Sequence, residues 1–433
     1  MNLSSEATEI KPVDEGGESS PSRPVGYLLG KFGLLAILAG LLLAAWSGQI
    51  VIVIMLGLLL SAAGLSKLWS RLSLAAVSCE RRLSERRVFP GEYTELTLKL
   101  SNRKLLPLPW IQVDDELPLG FSGGVALSPG HRPGFGLLSK GAALLWYTGV
   151  SWKQRLKCDR RGYFPLGPVT VTSGDIFGFY PHSVTEAMTE HIIVYPEIFP
   201  IDRLGIPSMS PIGDVTAERR IFEDPARVIG VRDYSPHDSR RRIHWKATAR
   251  HQQLQVKVFE PTTTLKVALF LAVDSFEAGE SGRGGEDVFE LGVSAVASVA
   301  SYLVERRSAV GLYTNSRLAD SGQTVSLPPG SSGSQLVEIL EALAKVTTLS
   351  GVAFEEFLQA ERASLPWGTT LVLVISTISP SLEQVLAELK ESGRKILVIQ
   401  VGSGDGGKLD NTIPWHHIME PGDLMKLGAR GAA

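Results

Sequence analysis

The chain has 433 residues, 44% of them hydrophobic, and a formal net charge of -2 at pH 7. That length exceeds one ordinary domain and provides for more than one core, while the near-neutral balance excludes the global basic field of a dedicated nucleic-acid binder. The two cysteines, Cys79 and Cys158, are too few for a secreted disulfide scaffold and lack metal-ligand spacing, which fits a reducing compartment.

Residues 1–24 are polar, with Glu6, Glu9, Asp14, Glu15 and Glu18 among Ser, Gly and Pro, a composition that predicts a disordered acidic tail. Residues 25–68 are almost wholly apolar, interrupted by Lys31 and by Ser47-Gly48-Gln49. One membrane span needs about 20 residues, so this stretch predicts a transmembrane α-hairpin with a tight turn near Gly48. The turn is uncharged, whereas Lys67, Arg71, Arg81, Arg82, Arg86 and Arg87 crowd the exit and Arg23 and Lys31 flank the beginning. By the positive-inside rule this is a two-pass cell-membrane protein with both termini and the bulk of the chain in the cytoplasm. A cleaved signal peptide is the competing reading, opposed by the acidic leader and the second apolar run.

Residues 78–200 read as an all-β, sandwich-like domain or small barrel. Leu96, Leu98 and Leu100 alternate with Thr97 and Lys99, and short strands are expected at Ile111–Val113, Ala143–Tyr147, Val169–Thr172 and Ile192–Tyr195. Residues 201–225 are irregular and polar, an expected linker.

Residues 226–262 hold the most distinctive stretch, in which residues 231–260 read VRDYSPHDSRRRIHWKATARHQQLQVKVFE. Pro236 sets a turn, and Asp238 or Ser239 can cap a helix starting near Arg240. Arg240, Ile243, Ala247 and Arg250 would share one face, with Arg242, Lys246 and Ala249 beside it. Leu254–Val258 alternates as a strand. Three readings follow: a structural clasp of Arg forks with Trp245 filling an interdomain seam, an anion or partner site, and a catalytic His237/Asp238/His244 constellation such as a hydrolase would use.

Residues 263–433 alternate strands and helices. Strands are expected at Leu265–Val273, Ala309–Tyr313, Thr370–Ser376 and Lys395–Val401. Helices are expected at Glu286–Arg307, Gln335–Lys345, Phe354–Arg362 and Ser381–Glu391, before a last strand-and-helix pair over Trp415–Leu427. This is the pattern of a doubly wound α/β sheet. Gly279–Gly285 and Val401–Gly407 lack the features of a phosphate-binding loop.

The run Arg232-Asp233-Tyr234, Pro236-His237-Asp238, Arg240-Arg241-Arg242 and Ile243-His244-Trp245-Lys246-Ala247-Thr248-Ala249-Arg250 resembles the signature of the bacterial and archaeal family catalogued as domain of unknown function fifty-eight. His237 stands where that family usually has Gly, and His244 where it has an acidic residue. The stretches Arg160–Pro168 and Gly174–Phe179 extend the resemblance, with Ile176 in place of the usual Pro.

The resemblance implies a C-terminal domain like von Willebrand factor A and partnership with MoxR-type AAA+ ATPases in the assembly or activation of other proteins. It makes Arg232, Asp233, Tyr234, Asp238, Arg240, Arg241, Ile243, Trp245, Lys246, Thr248 and Arg250 the interaction residues of a non-enzymatic module. It also directs attention to Asp274, Ser275 and Glu277, the remains of an Asp-x-Ser-x-Ser adhesion loop that in such domains holds Mg²⁺ for a ligand-binding receptor. The second and third oxygen donors of that loop are replaced by Phe276 and Ala278. The expectation is therefore no cofactor, with Mg²⁺ as the alternative.

Overall fold

The structure, a computed structural model, describes residues 31–122, 127–187, 190–201, 204, 222–235, 238, 243–262, 265–277, 283–366, 368–403 and 413–425. The chain divides into two compact units, Met1–Val194 and Tyr195–Ala433.

The first unit opens with helices Lys31–Trp46 and Ile50–Ser73, packed against each other. The turn between them needs a left-handed residue, and Gly48 supplies it at φ 69°. Phe32, Leu42, Trp46, Ile50, Met55 and Leu58 are exposed, an apolar surface that a water-facing helix pair does not carry. Helix Ile50–Ser73 is long and apolar enough to cross a membrane; Gly285–Glu305 meets the same measure but is mostly buried inside the second unit.

Helix Ile50–Ser73 continues five residues past the expected end of the hairpin, because the β structure holds its last turn. Ser70 Oγ donates to Tyr180 O at 2.6 Å. Lys104 Nζ donates to Leu72 O at 2.8 Å, to Ala75 O at 2.7 Å and to Ser73 O. Those are carbonyls a helix C-terminus leaves without internal partners, and an ammonium there also meets the negative end of the helix dipole.

Three sheets follow among the described residues. A four-stranded sheet orders Val77–Leu83, Tyr93–Asn102, Gly149–Cys158 and Phe121–Ser122. A five-stranded sheet orders His182–Glu186, Val169–Ser173, Leu108–Pro118, Phe135–Leu144 and Ser128–Pro129. A three-stranded sheet joins Arg87–Val88, Glu190–Val194 and Gly162–Leu166. Alternation sends Leu96, Leu98 and Leu100 inward, where they share one core with Ile111, Val113, Val171 and Ile192. The expected strand Ala143–Tyr147 is instead the end of Phe135–Leu144 and a turn, with Tyr147 at φ 52° and Leu145, Trp146 and Tyr147 exposed. Cys79 and Cys158 are buried and free, and burial pushes both thiols up to about 12.

The second unit contains an antiparallel ribbon of Phe222–Asp233 with Gln255–Thr262. Its first strand begins inside the expected 201–225 linker. The main sheet orders Val325–Gly330, Ala309–Thr314, Lys266–Leu271, Thr370–Ile375, Lys395–Val401 and Trp415–Ile418. All neighbours are parallel except the Val325–Gly330 edge. The run Val267–Leu271 is fully buried, as a parallel strand covered on both faces requires. Ala268, Phe270, Leu371 and Leu373 pack with helices Phe354–Arg362 and Pro380–Glu391 on one face. Helix Arg283–Glu305 packs against Gln335–Lys345 and also against the sheet. The doubly wound arrangement expected of this half is present.

Candidate functional site

The signature stretch lies on the ribbon, and several of its described polar side chains hold that local structure together. Arg232 faces Asp238 as a two-pronged pair, with Nη1 to Oδ2 at 2.7 Å and Nη2 to Oδ1 at 2.6 Å. Asp238 Oδ2 also accepts the Ser235 N–H at 2.8 Å, and the Asp238 N–H donates to Ser235 O at 2.9 Å, closing the turn. Asp233 Oδ1 accepts from Gln255 Nε2 at 2.5 Å, and Tyr234 N–H donates to Leu254 O at 2.9 Å.

Asp238 is engaged in that turn, and residues 239–242, where the expected helix would begin, lie outside the described residues. Ile243 instead bridges to Val256, and the helix is Trp245–His251. His244 supplies the N-cap: its Nδ1 accepts the Ala247 N–H at 3.1 Å, while its own N–H donates to Gln255 O at 2.8 Å. Thr248 Oγ1 accepts the Gln255 N–H at 3.0 Å, locking the helix onto the ribbon. Gln255, buried and bonded at side chain, N–H and C=O, is the residue that sequence reasoning passed over. Its inward place in the alternating Leu254–Val258 run was the available signal.

What remains faces out. Trp245 is 69% exposed. Lys246, Ala249 and Arg250 are exposed as well, and the helical period sets Trp245 over Ala249 and Lys246 over Arg250 as adjacent stripes. Arg240, Arg241, Arg242 and His237 lie outside the described residues. A catalytic His237/Asp238/His244 grouping would draw on an Asp238 and a His244 already engaged in the turn and the cap.

The second candidate is the switch point of the main sheet. Strand Lys266–Leu271 leads to its neighbour on one side and Thr370–Ile375 to its neighbour on the other, so their carboxyl ends flank the place where open α/β sheets bind ligands. Asp274 and Ser275 sit there. Asp274 Oδ2 accepts the Phe354 N–H at 2.8 Å, capping helix Phe354–Arg362. Ser275 Oγ donates to Ala272 O at 2.6 Å and accepts the Ser376 N–H at 3.0 Å, and Thr377 Oγ1 donates to Ser275 O at 2.9 Å. These bonds tie the carboxyl ends of the two strands together.

Asp274 Oδ1 is buried with no hydrogen-bond partner among the described residues. Phe276, where the adhesion loop has a serine, is buried edge-on against Phe289. No group of three or more His, Cys, Asp or Glu that could hold a metal occurs among the described residues. Of the oxygen donors expected to hold Mg²⁺ there, Asp274 Oδ1 has no hydrogen-bond partner among the described residues and Ser275 Oγ is engaged by Ala272 O and the Ser376 N–H.

Residues 230–404 match the model of a family described as "Protein of unknown function DUF58". An uncharacterized protein of Bacillus subtilis (strain 168), YeaD, is 25% identical over 241 residues, covering 55% of this chain and 56% of the relative. The chain thus spans little more than half the length of that relative. Among solved structures, proximal thread matrix protein 1 from the mussel byssus covers 38% of this chain and 46% of its own at 10% identity and a TM-score of 0.28. The CARDB domain of the PF1109 protein from Pyrococcus furiosus covers 27% and 91% at 11% identity and a TM-score of 0.19. Scores at that level carry no argument about fold.

Proposed function

We propose, on the premise that residues 230–404 place this chain in the DUF58 family, that it is a membrane-anchored interaction module rather than an enzyme. The observation that carries this reading is the division of labour in the signature stretch. Arg232, Asp233, Asp238, His244 and Thr248 spend their polar groups on building a rigid ribbon and helix, which leaves Trp245, Lys246 and Arg250 displayed to solvent. An exposed tryptophan beside two cations on a preorganised platform has the composition of a binding hot spot. The α/β half is read as a von Willebrand factor A-like domain whose metal position has lapsed into helix capping. The helix pair is the anchor, with the bulk of the chain in the cytoplasm. The partner is a MoxR-type AAA+ ATPase, and the task is the assembly or activation of other proteins.

Mild crosslinking of the full-length protein in its native membrane, followed by affinity capture and mass spectrometry, tests the partnership. The wild type enriches a MoxR-type ATPase, and the Trp245→Ala/Arg250→Glu variant loses it at an unchanged melting temperature. Absence of any such ATPase from the wild-type capture rejects the partnership, and equal enrichment by the variant moves the docking surface off this helix.

A further inference from the structure

One end of the β unit carries exposed apolar side chains that its core does not use. Strand register determines which loops share that end. Val77 pairs with Asn102, Ser101 with Gly149, Leu108 with Leu144, and Ser173 with both Ile111 and His182. Segments 74–76, 103–107, 145–148 and 174–181 therefore lie together where helix Ile50–Ser73 meets the sheets. Asn102 Nδ2 ties two of them by donating to Leu106 O at 3.0 Å and Leu145 O at 2.9 Å. Lys104 and the Tyr180 carbonyl tie them to the helix.

Leu105, Leu145, Trp146, Tyr147, Ile176 and Phe177 at this end are each more than half exposed. The exposed charges beside them, Lys67, Arg71 and Arg103, are cationic. The single acid in these four segments, Asp175, is buried, its carboxylate accepting the N–H groups of Phe177 at 3.1 Å and Tyr180 at 2.8 Å.

Length decides what this end meets. Helix Ile50–Ser73 has 24 residues, about 36 Å at a rise of ~1.5 Å each. A hydrocarbon layer of about 30 Å takes up roughly 20 of them. Only the last turn is left over, and Ser70 and Leu72–Ala75 are where the β unit grips it. Lys67 then snorkels to the interface, and the exposed Leu65, Leu68 and Leu72 continue the apolar helix surface up to the loops.

We propose that this end of the β unit is seated in the headgroup layer of the bilayer that holds the helix pair. Trp146, Tyr147, Leu105, Leu145, Ile176 and Phe177 are its interfacial anchors, and Lys67, Arg71 and Arg103 face lipid phosphates. Tryptophan and tyrosine concentrate at that depth because one end of each ring system is apolar and the other polar. The inference rests on the membrane-anchor reading and deepens it, since the β unit is held in fixed contact with the lipid surface rather than on a tether.

Single cysteines placed in the full-length protein by Leu105→Cys, Trp146→Cys, Phe177→Cys, Leu119→Cys or Leu58→Cys carry an environment-sensitive fluorophore. The native thiols are buried and stay unlabelled. Leu119 is exposed and follows Pro118 at the far end of an 11-residue strand, roughly 35 Å from the helix end of the unit at ~3.4 Å per residue. In vesicles of phosphatidylcholine and phosphatidylglycerol, labels at 105, 146 and 177 emit at shorter wavelength and lose emission to brominated lipid, whereas the label at 119 does neither. If those three labels behave like the one at 119 while the label at 58 is quenched, the anchor stands and the lipid seat is rejected. If the label at 58 is also unquenched, the membrane reading itself fails and the seat with it.

Discussion

Arg81 joins all three sheets of the first unit through one guanidinium. Its Nη1 meets Asp115 Oδ1 at 3.0 Å, its Nε meets Glu190 Oε2 at 3.2 Å, and its Nη2 donates to Leu166 O at 3.3 Å, with the Arg81 and Asp115 side chains fully buried. Burial without a partner is what makes such a charge costly. Arg81→Met is therefore expected to destabilise the protein by about 3–5 kcal/mol in denaturant titrations in detergent micelles, and Arg81→Met/Asp115→Leu to recover most of that loss. A double variant no better than the single one would show that the guanidinium acts through packing alone. Burial also raises the Asp115 carboxyl to about 6, with Arg81 opposing. Between 3.8, its ordinary value, and about 6 the folded chain holds a proton that the unfolded chain has released, so this group's contribution to stability falls as pH rises through that window. The melting-temperature advantage of the wild type over Asp115→Asn should accordingly widen from pH 7 to pH 4.5; an advantage independent of pH would contradict it. None of this was legible in the sequence. Arg81 counted there as one of several cytoplasmic charges, because its partners stand 34 and 109 residues away.

Elements that bury a regular apolar pattern were readable, and elements decided by a single polar contact were not. Helices Gln335–Lys345 and Phe354–Arg362 and strands Thr370–Ile375 and Lys395–Val401 lie where periodicity puts them. The signature helix begins five residues later than its basic periodicity suggests, because the Ile243–Val256 bridge and the His244 cap compete for the same residues. His244→Ala should remove that cap, at a cost of about 0.5–2 kcal/mol confined to the helix, whereas His244→Asp restores an N-cap oxygen. Hydrogen exchange at the Ala247 amide reads the difference: fast in the Ala variant and slow in the Asp variant, with equal rates in both arguing against a capping role. Helix Ile50–Ser73 overran its expected end for a similar reason. The carbonyls of its last turn are held by Lys104, about 30 residues ahead in the chain. Lys104→Ala should leave them unpaired and cost about 1–3 kcal/mol, read as faster exchange over residues 70–76, and unchanged exchange there would dismiss the tie.

At the scale of the whole chain, composition pointed to more than one core, and the two units each have their own. The α/β half was legible because parallel strands covered on both faces are continuous apolar runs. The partition of the β half into separate sheets was not, since alternation marks an inward face without naming the strand across from it. Two cores imply that damage to one should be felt there first. Phe270 is fully buried, stacked on Tyr313 with ring centroids 4.9 Å apart and edge-on to Phe354 at 6.3 Å. Phe270→Ala removes a ring from the middle of the main sheet and should cost about 3–5 kcal/mol. Hydrogen exchange followed by mass spectrometry in the full-length protein should then quicken across Lys266–Leu271, Ala309–Thr314 and Thr370–Ile375. Tyr93–Asn102 and Gly149–Cys158 should keep their wild-type rates, because they belong to a separate core. Equal loss of protection in both sets of strands would mean that the two cores unfold as one cooperative body, and that the division seen in the fold has no energetic counterpart.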